Sequence, residues 1–449
     1  MLEWEVRELE SSPSIRESAA RLGPACQSLI RELGESGKLE ILQLRDGLRI
    51  RTTSWVGRIT LGGLSLHIRP KLSGMPLLQL LRYTYSLRDL RIFSSSNYDV
   101  TAIPFEDLLI EQLVAEAAEL LSRGLHRDYL RHSGNLESPR GRIDFGRVPH
   151  SIAQADAGLP CTYYDRSEDV PLNRVLLAGL HLGRTLAKDG VLRQRIGRLE
   201  QTLEQRVSRT QLTSTRLIEA WHAIDRRSAA YAASLTLIEL LHSGLGLSGA
   251  PHEAAVEASS FLFDMNRFFQ RLLSRFFHVE LSGFSVVDEF RLYEVFAANS
   301  SQPPRRPPTI PRPDFAILAD DRVIQLLDAK YRDLWDQNCP PAMLYQLAIY
   351  ALSGTNRAAS ATILYPTMTR DTRDQVIEIR DPGCGLTRGT VVLRPVDLLY
   401  LSGLVSDTSS YSADRQRQKY AHDLCFGSLT AEPPLRKRGS FTSHLGAVS

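Results

Sequence analysis

The sequence predicts a mixed protein, α+β grading into α/β, in three regions. These are a β-rich N-terminal module over residues 1–75, a mainly helical region over 76–245 and an α/β domain over 250–430, followed by a tail over 431–449 expected to be disordered. Three observations carry this. Period-two alternation marks the first region, helical spacing marks the second, and beyond the Gly-Leu-Gly-Leu-Ser-Gly-Ala-Pro linker at 244–251 helix and strand patterns alternate.

The elements follow in order. Leu39 to Leu44 and Leu48 to Thr53 read as strands around the turn Arg45-Asp46-Gly47. Val56 to Leu61 and Leu64 to Ile68 read as a second pair, joined through Gly62-Gly63. The second of these sets Leu64, Leu66 and Ile68 on one face against Ser65, His67 and Arg69, and ends in Pro70-Lys71. From Met75 the pattern is helical, with Leu108, Ile110, Leu113 and Ala117 on one stripe and Gly124 as a stop. Residues 131–170 read as loop-rich because Gly134, Pro139, Gly141 and Pro160 interrupt them, and a long helical block runs from Leu172 to Leu241. A helix is expected near Ser260 to Phe277. The five prolines within 301–311 then read as an extended loop.

Composition narrows the setting. The chain has 54 basic and 51 acidic residues, a balance of +3 that does not by itself imply nucleic acid, although Arg305, Arg306 and Arg312 cluster before the most informative segment. No apolar run approaches the roughly 20 residues that span a bilayer, and Met-Leu-Glu-Trp-Glu-Val lacks a signal-peptide pattern. Five scattered cysteines form no CxxC pair. A reduced, cytoplasmic protein with no membrane partner is expected.

The segment that carries chemistry is Arg312-Pro313-Asp314-Phe-Ala-Ile-Leu, then Asp320-Asp321-Arg322, then Val-Ile-Gln-Leu-Leu-Asp328-Ala-Lys330-Tyr331. Two apolar runs around a polar turn predict a β-hairpin, and Asp328 and Lys330, two apart, share a strand face. Asp314 joins that face only if paired residue numbers sum to about 642 across the ladder, which needs a three-residue turn or a bulge; a bare two-residue turn splits the carboxylates across faces. Two adjacent carboxylates repel unless a cation joins them, and a hard divalent ion such as Mg²⁺ takes oxygen ligands. Gln346 and Tyr350 stand four apart on a helix expected to start after Pro340-Pro341 and stop at Gly354.

The D…DxK arrangement resembles the PD-(D/E)xK nuclease superfamily and, more closely, the McrC family, the nuclease subunit of McrBC-type modification-dependent restriction systems. The likeness extends to Val56-Gly57 through Ile68-Arg69-Pro70-Lys71-Leu72, Arg123-Gly124-Leu125 with Tyr129, Arg140-Gly141-Arg142-Ile143, Cys161 to Asp165 through Asn173-Arg174, and Phe263 to Phe269. The resemblance implies a C-terminal restriction-endonuclease-like domain in which Asp314 and Asp328 bind Mg²⁺, or Mn²⁺ in its place, with Lys330 as the catalytic lysine and Gln346 and Tyr350 in support. It also marks a departure: Gln270 stands where the opening helix of the family often carries Glu. The implied function is a DNA endonuclease subunit of a GTP-dependent, methylcytosine-directed system. Its partners would be an McrB-like AAA+ GTPase ring and modified double-stranded DNA, with GTP bound by the ring. The chain's lack of a GxxxxGK[ST] motif agrees with that division of labour. Arg69, Lys71 and segment 131–142 are candidates for partner contact. The alternative reading is a regulatory subunit that activates the ring with little nuclease activity of its own.

Overall fold

The computed structural model describes residues 2–12, 24–44, 47–61, 64–88, 103–148, 158–245, 260–293, 295–298, 301–302, 304–306, 308–353, 359–369, 371–406 and 411–427. Its contacts divide into two compact units, Met1–Phe268 and Phe269–Ser449. The expected tail at 431–449, the turns at 45–46 and 62–63, the helix stop at Gly354 and most of the 244–251 linker lie outside the described residues.

In the first unit, strand β1 (Leu2–Arg7) precedes helix α1 (Pro24–Glu35) and the strands β2 (Leu39–Leu44), β3 (Gly47–Thr52), β4 (Trp55–Leu61) and β5 (Leu64–Arg69). The four strands from β2 onward match the alternation in the sequence. Both hairpins close with Leu44 opposite Gly47 and Leu61 opposite Leu64. Pairing β1 parallel to β5 aligns Trp4 with Leu66 and Val6 with Ile68, so the apolar positions of both strands face one core with Leu33, Leu39, Ile50 and Ile59. α1 was not anticipated; it supplies Leu33, with Leu29 and Ile30, to that core.

The helical expectation holds for α2 (Gly74–Tyr85), α3 (Phe105–Arg123), α4 (Pro171–Leu186), α5 (Gly190–Glu204), α6 (Ser214–His222) and α7 (Ala232–Gly244). Gly124 ends α3 with φ +89 and its N–H donates to the Leu121 carbonyl. The loop-rich reading of 131–170 is corrected. β6 (Asp128–Leu136), β7 (Arg142–Ile143) and β8 (Leu159–Ser167) form a three-stranded sheet in the order β6-β8-β7. No residue of β6 is buried, so that strand has no apolar face to produce alternation, and its backbone ladder is the structure that periodicity could not register.

A second correction concerns the start of the C-terminal region. Residues 261–264 were expected to be helical, but Phe261–Asp264 is strand β9, which pairs antiparallel with β4 and completes the sheet β1-β5-β4-β9. Helix α8 (Met265–Glu280) follows directly, and the division between the units falls within it.

The second unit is built on a six-stranded sheet in the order β10-β11-β12-β13-β15-β14. Its strands are β10 (Ser285–Asp288), β11 (Phe315–Ala319), β12 (Arg322–Ala329), β13 (Ser360–Thr367), β14 (Gln375–Arg380) and β15 (Thr387–Asp397). β12, β13 and β15 run parallel, and β10 and β14 are antiparallel edges. Helix α9 (Pro341–Leu352) covers one face: Leu347, Tyr350 and Ala351 pack with Ala316, Leu326, Ile363 and Tyr365. The other face carries Phe315, whose ring meets Phe277 of α8 edge-on at 5.6 Å. Helices α10 (Leu398–Ser406) and α11 (Tyr411–Phe426) end the described chain, with Arg417 of α11 bonded at 3.0 Å to Glu280. Among the described residues, no helix is long and apolar enough to cross a membrane.

One glycine tests the β4–β9 junction. Gly57 has φ +129, and a Cβ there would lie 2.2 Å from the Phe261 carbonyl oxygen. Gly57→Ala combines strained backbone with a collision against main chain, and is expected to cost about 2 kcal/mol or more. Denaturant unfolding of the two proteins measures it.

Candidate active site

β11 and β12 form the hairpin that the sequence predicts, and the carboxylate register depends on how it turns. Asp320 and Asp321 both have positive φ, 49° and 59°, which makes a two-residue turn of the primed kind that matches strand twist. By itself that turn would place Asp314 opposite Leu327. The ladder shifts between Ile317 and Leu318, however: Leu318 pairs with Val323, but Ile317 pairs with Gln325, leaving Ile324 as the extra residue of a bulge. Beyond the bulge Phe315 pairs with Leu327, and the same register continued one step sets Asp314 across from Asp328. Turn and bulge together put Asp314, Asp328 and Lys330 on one face.

The side chains converge there. The Ala329 N–H donates to Asp314 Oδ2 at 2.8 Å, and Gln270 of α8 donates from Nε2 to Asp314 Oδ1 at 2.9 Å. Lys330 Nζ stands 2.8 Å from Asp328 Oδ2 and 3.9 Å from Asp314 Oδ2. Asp328 is only 1% exposed. Among the described residues, neither of its oxygens accepts a hydrogen bond of good geometry, although the Lys330 ammonium is close. A buried carboxylate left this way is costly without a cation.

Electrostatics reflect the crowding. Burial, then the negative charge of Asp328, pushes the Asp314 pKa up to about 6. Burial likewise raises Asp328, with Lys330 opposing it. For Lys330, burial favours the neutral amine, but the two carboxylates outweigh it and hold its pKa above the ordinary lysine value. Gln346 Nε2 donates to the Tyr350 hydroxyl at 2.6 Å on α9. Burial, with the field of Asp328 and Asp314 adding to it, raises the Tyr350 pKa to about 12.

The donor set suits a hard divalent cation. Two carboxylates, one with an oxygen that has no partner among the described residues, match what Mg²⁺ requires, since that ion keeps several waters. No cluster of three or more His, Cys, Asp or Glu fit to hold a metal occurs among the described residues, so a resident ion would lean on water and backbone for its remaining ligands.

The other sequence-nominated residues lie elsewhere. Arg312 pairs with Glu289, while Arg305 and Arg306 are exposed. Arg69 pairs with Glu5, and the Lys71 N–H donates to Glu8 at 2.7 Å. Both belong to the first unit, at the rim of a cleft of about 550 Å³ that His67, Glu106 and Lys188 also line. Segment 131–142 lies in the β6-β8-β7 sheet, where Arg140 sits 4.1 Å over the Tyr163 ring and His132 stacks on that ring at 5.5 Å. Nearby Tyr129, Phe145 and Tyr164 are more than half exposed. Sequence reasoning passed over these three aromatics, because single exposed rings leave no periodic trace.

A mixed sheet that carries a D…DxK hairpin, with helices against its faces, has the architecture of a restriction-endonuclease-like domain. The chain belongs to the family of McrBC 5-methylcytosine restriction system components, whose model matches residues 50–366. That agrees with the resemblance read from the motifs. Among solved structures, the chain is similar to one from Thermococcus gammatolerans, a half-complex from a tetradecameric assembly of McrB AAA+ hexamers with bound McrC. The two share 16% identity and a TM-score of 0.63, over 94% of this chain and 99% of the matched one. A second likeness, to a cryo-EM structure of the McrBC complex of the same organism, has 17% identity and a TM-score of 0.47 over 62% and 88%. Among curated proteins, none matches the chain significantly.

The raised Asp314 pKa has a measurable sign. Its folded value of about 6 exceeds the unfolded value of 3.8, so the native state holds this proton more tightly. Stability is then fully present below about pH 4 and declines as pH rises through about 6. Asp314→Asn keeps a neutral group of the same shape and is expected to be more stable than wild type at pH 7.5 by about 1–2 kcal/mol in chelator. That advantage should vanish below pH 4, as read from denaturant unfolding at each pH.

Proposed function

We propose that this chain is the DNA endonuclease subunit of a GTP-dependent, McrBC-like restriction system directed at methylcytosine. The observation that supports it most is the convergence of the buried Asp328 carboxylate, Asp314 and the Lys330 ammonium, 2.8 Å from Asp328 and 3.9 Å from Asp314, on one sheet face. Asp314 and Asp328 would hold Mg²⁺, with Mn²⁺ as a substitute. Such an ion supplies Lewis acidity to a phosphoryl oxygen and a more acidic bound water.

The chain's own groups do the rest. Lys330, kept protonated by the carboxylates, places an ammonium where negative charge builds up on the phosphoryl oxygens, and it can orient the attacking water. Water adds to phosphorus, one phosphodiester P–O bond breaks, and the water's proton ends on the departing oxygen. Gln346 and Tyr350 hold α9 against the sheet and keep the wall beside the carboxylates in place. Double-stranded DNA is the substrate.

For the partner, we infer an McrB-like AAA+ ring that binds and hydrolyses GTP and is stimulated by this chain. The likeness to an assembly of McrB hexamers with bound McrC supports this. Contact surfaces would lie in the first unit, on Arg69, Lys71 and the exposed aromatics of the β6-β8-β7 sheet. A second reading, a regulatory subunit with little nuclease activity, is favoured by Gln270: a neutral amide leaves the site with only two carboxylates.

One experiment separates them. The chain is combined with the McrB-like ring, GTP, Mg²⁺ and methylated or unmethylated DNA, as wild type and Lys330→Ala. The nuclease reading expects methylated DNA to be cut by wild type, a loss of at least about a hundredfold in Lys330→Ala, and unchanged GTPase stimulation by both. GTPase stimulation without cleavage by wild type supports the regulatory reading, and cleavage unaffected by Lys330→Ala removes this site from the reaction.

A further inference from the structure

The two carboxylates are not equally open. Asp328 Oδ2 faces the Lys330 ammonium at 2.8 Å and its Oδ1 has no partner among the described residues, whereas each oxygen of Asp314 accepts one hydrogen bond. Oδ2 accepts from the main-chain N–H of Ala329, which the β12–β13 ladder holds in place. Oδ1 accepts from the amide of Gln270, a side chain. Of these two donors, only the side chain can leave.

Gln270 cannot leave by backward movement of its helix. The preceding residue, Phe269, packs edge-on against Tyr331 at 5.9 Å, and Phe277, two turns on, packs against Phe315 at 5.6 Å. Ser274 bonds Asp288 at 2.8 Å. With the backbone pinned before and after it, Gln270 can release Asp314 only by rotating its own partly buried side chain. Its N–H takes one lone pair of Oδ1 and sets the positive end of its dipole against the oxygen a cation would use, which weakens that oxygen as a ligand.

We propose that Gln270 is a latch on the metal-free site: its amide holds Asp314 Oδ1 and weakens it as a cation ligand, and tight cation binding requires that the side chain swing away. This rests on the reading of Asp314 and Asp328 as a cation site, and it adds a regulation of that site. Occupancy is then weak at rest and rises when the amide is drawn off, for instance by an incoming phosphate that offers it an acceptor. Gln270 acts through Asp314 and is a positioning residue.

The test is Mn²⁺ binding to the full chain, followed by the electron paramagnetic resonance signal of free Mn²⁺. The proteins are wild type, Gln270→Met, Gln270→Ala and Asp314→Asn. Methionine keeps the volume of glutamine without its donor, which guards against a packing defect in the alanine variant. The latch expects both Gln270 variants to bind Mn²⁺ at least about tenfold more tightly than wild type, the scale of a lost charge-assisted hydrogen bond. It also expects their Tm to lie below wild type in chelator at neutral pH and to equal it at saturating Mn²⁺, a convergence that a merely structural role would not produce. Unchanged or weaker binding in both variants, with binding still abolished by Asp314→Asn, overturns the latch and leaves the cation site standing. If neither wild type nor either Gln270 variant binds Mn²⁺, or if Asp314→Asn binds it as tightly as wild type, the underlying cation-site reading falls, and the latch with it.

Discussion

Two carboxylates forced onto one face of a buried strand pair are the constraint around which the second unit is organised. Asp328 sits on a central strand at 1% exposure, and Asp314 opens the neighbouring strand with its side chain mostly covered. Ionised together they repel, and burial amplifies the cost. The surroundings offset it with charge and dipoles: the Lys330 ammonium, the Ala329 N–H and the Gln270 amide all face the pair. Substituting well-packed apolar groups for buried charges is often neutral or stabilising.

The bulge at Ile324 is what makes this arrangement possible. A primed two-residue turn gives a tight hairpin with the right twist but the wrong register for the acids. One extra residue shifts the far half of the ladder by a single step, and a single step exchanges faces. The near half thus serves the turn and the far half serves the site. Phe315, which the same shift turns to the opposite face, then meets Phe277 of α8, and α8 delivers Gln270. Local chemistry at Asp320-Asp321 and function at Asp314 are reconciled within five residue pairs.

Much of this was legible in the sequence. The shared face of Asp328 and Lys330 follows from period two, while the apolar runs on either side of the turn and the strands between Leu39 and Arg69 show as short apolar stretches bounded by turn residues. The choice between a three-residue turn and a bulge was not legible, since both satisfy the same register. β6, with no residue buried, left no pattern, and proline and glycine in its neighbourhood read as loop. Phe261–Asp264 was misread for another reason. Its three apolar residues are too few to show a period. Asp264 marks the start of α8 by accepting from the Asn266 and Arg267 N–H groups, but only pairing with β4, some 200 residues earlier, defines Phe261–Asp264 as a strand. Long-range pairing of this kind lies beyond any window on the chain. At the site, the role of Gln270 was visible as a residue type but not as a contact: that it donates to Asp314 depends on how Phe269 and Phe277 seat the helix.

The central claim, that Asp314 and Asp328 form one cation site, is tested most directly by anomalous diffraction from crystals of the protein grown with Mn²⁺. The account expects a single strong anomalous peak within ligand distance, about 2.1–2.3 Å, of oxygens from both carboxylates, with Lys330 moved away from Asp328. An anomalous map empty at this position at saturating Mn²⁺, with Lys330 still against Asp328 and Gln270 still on Asp314, would contradict it.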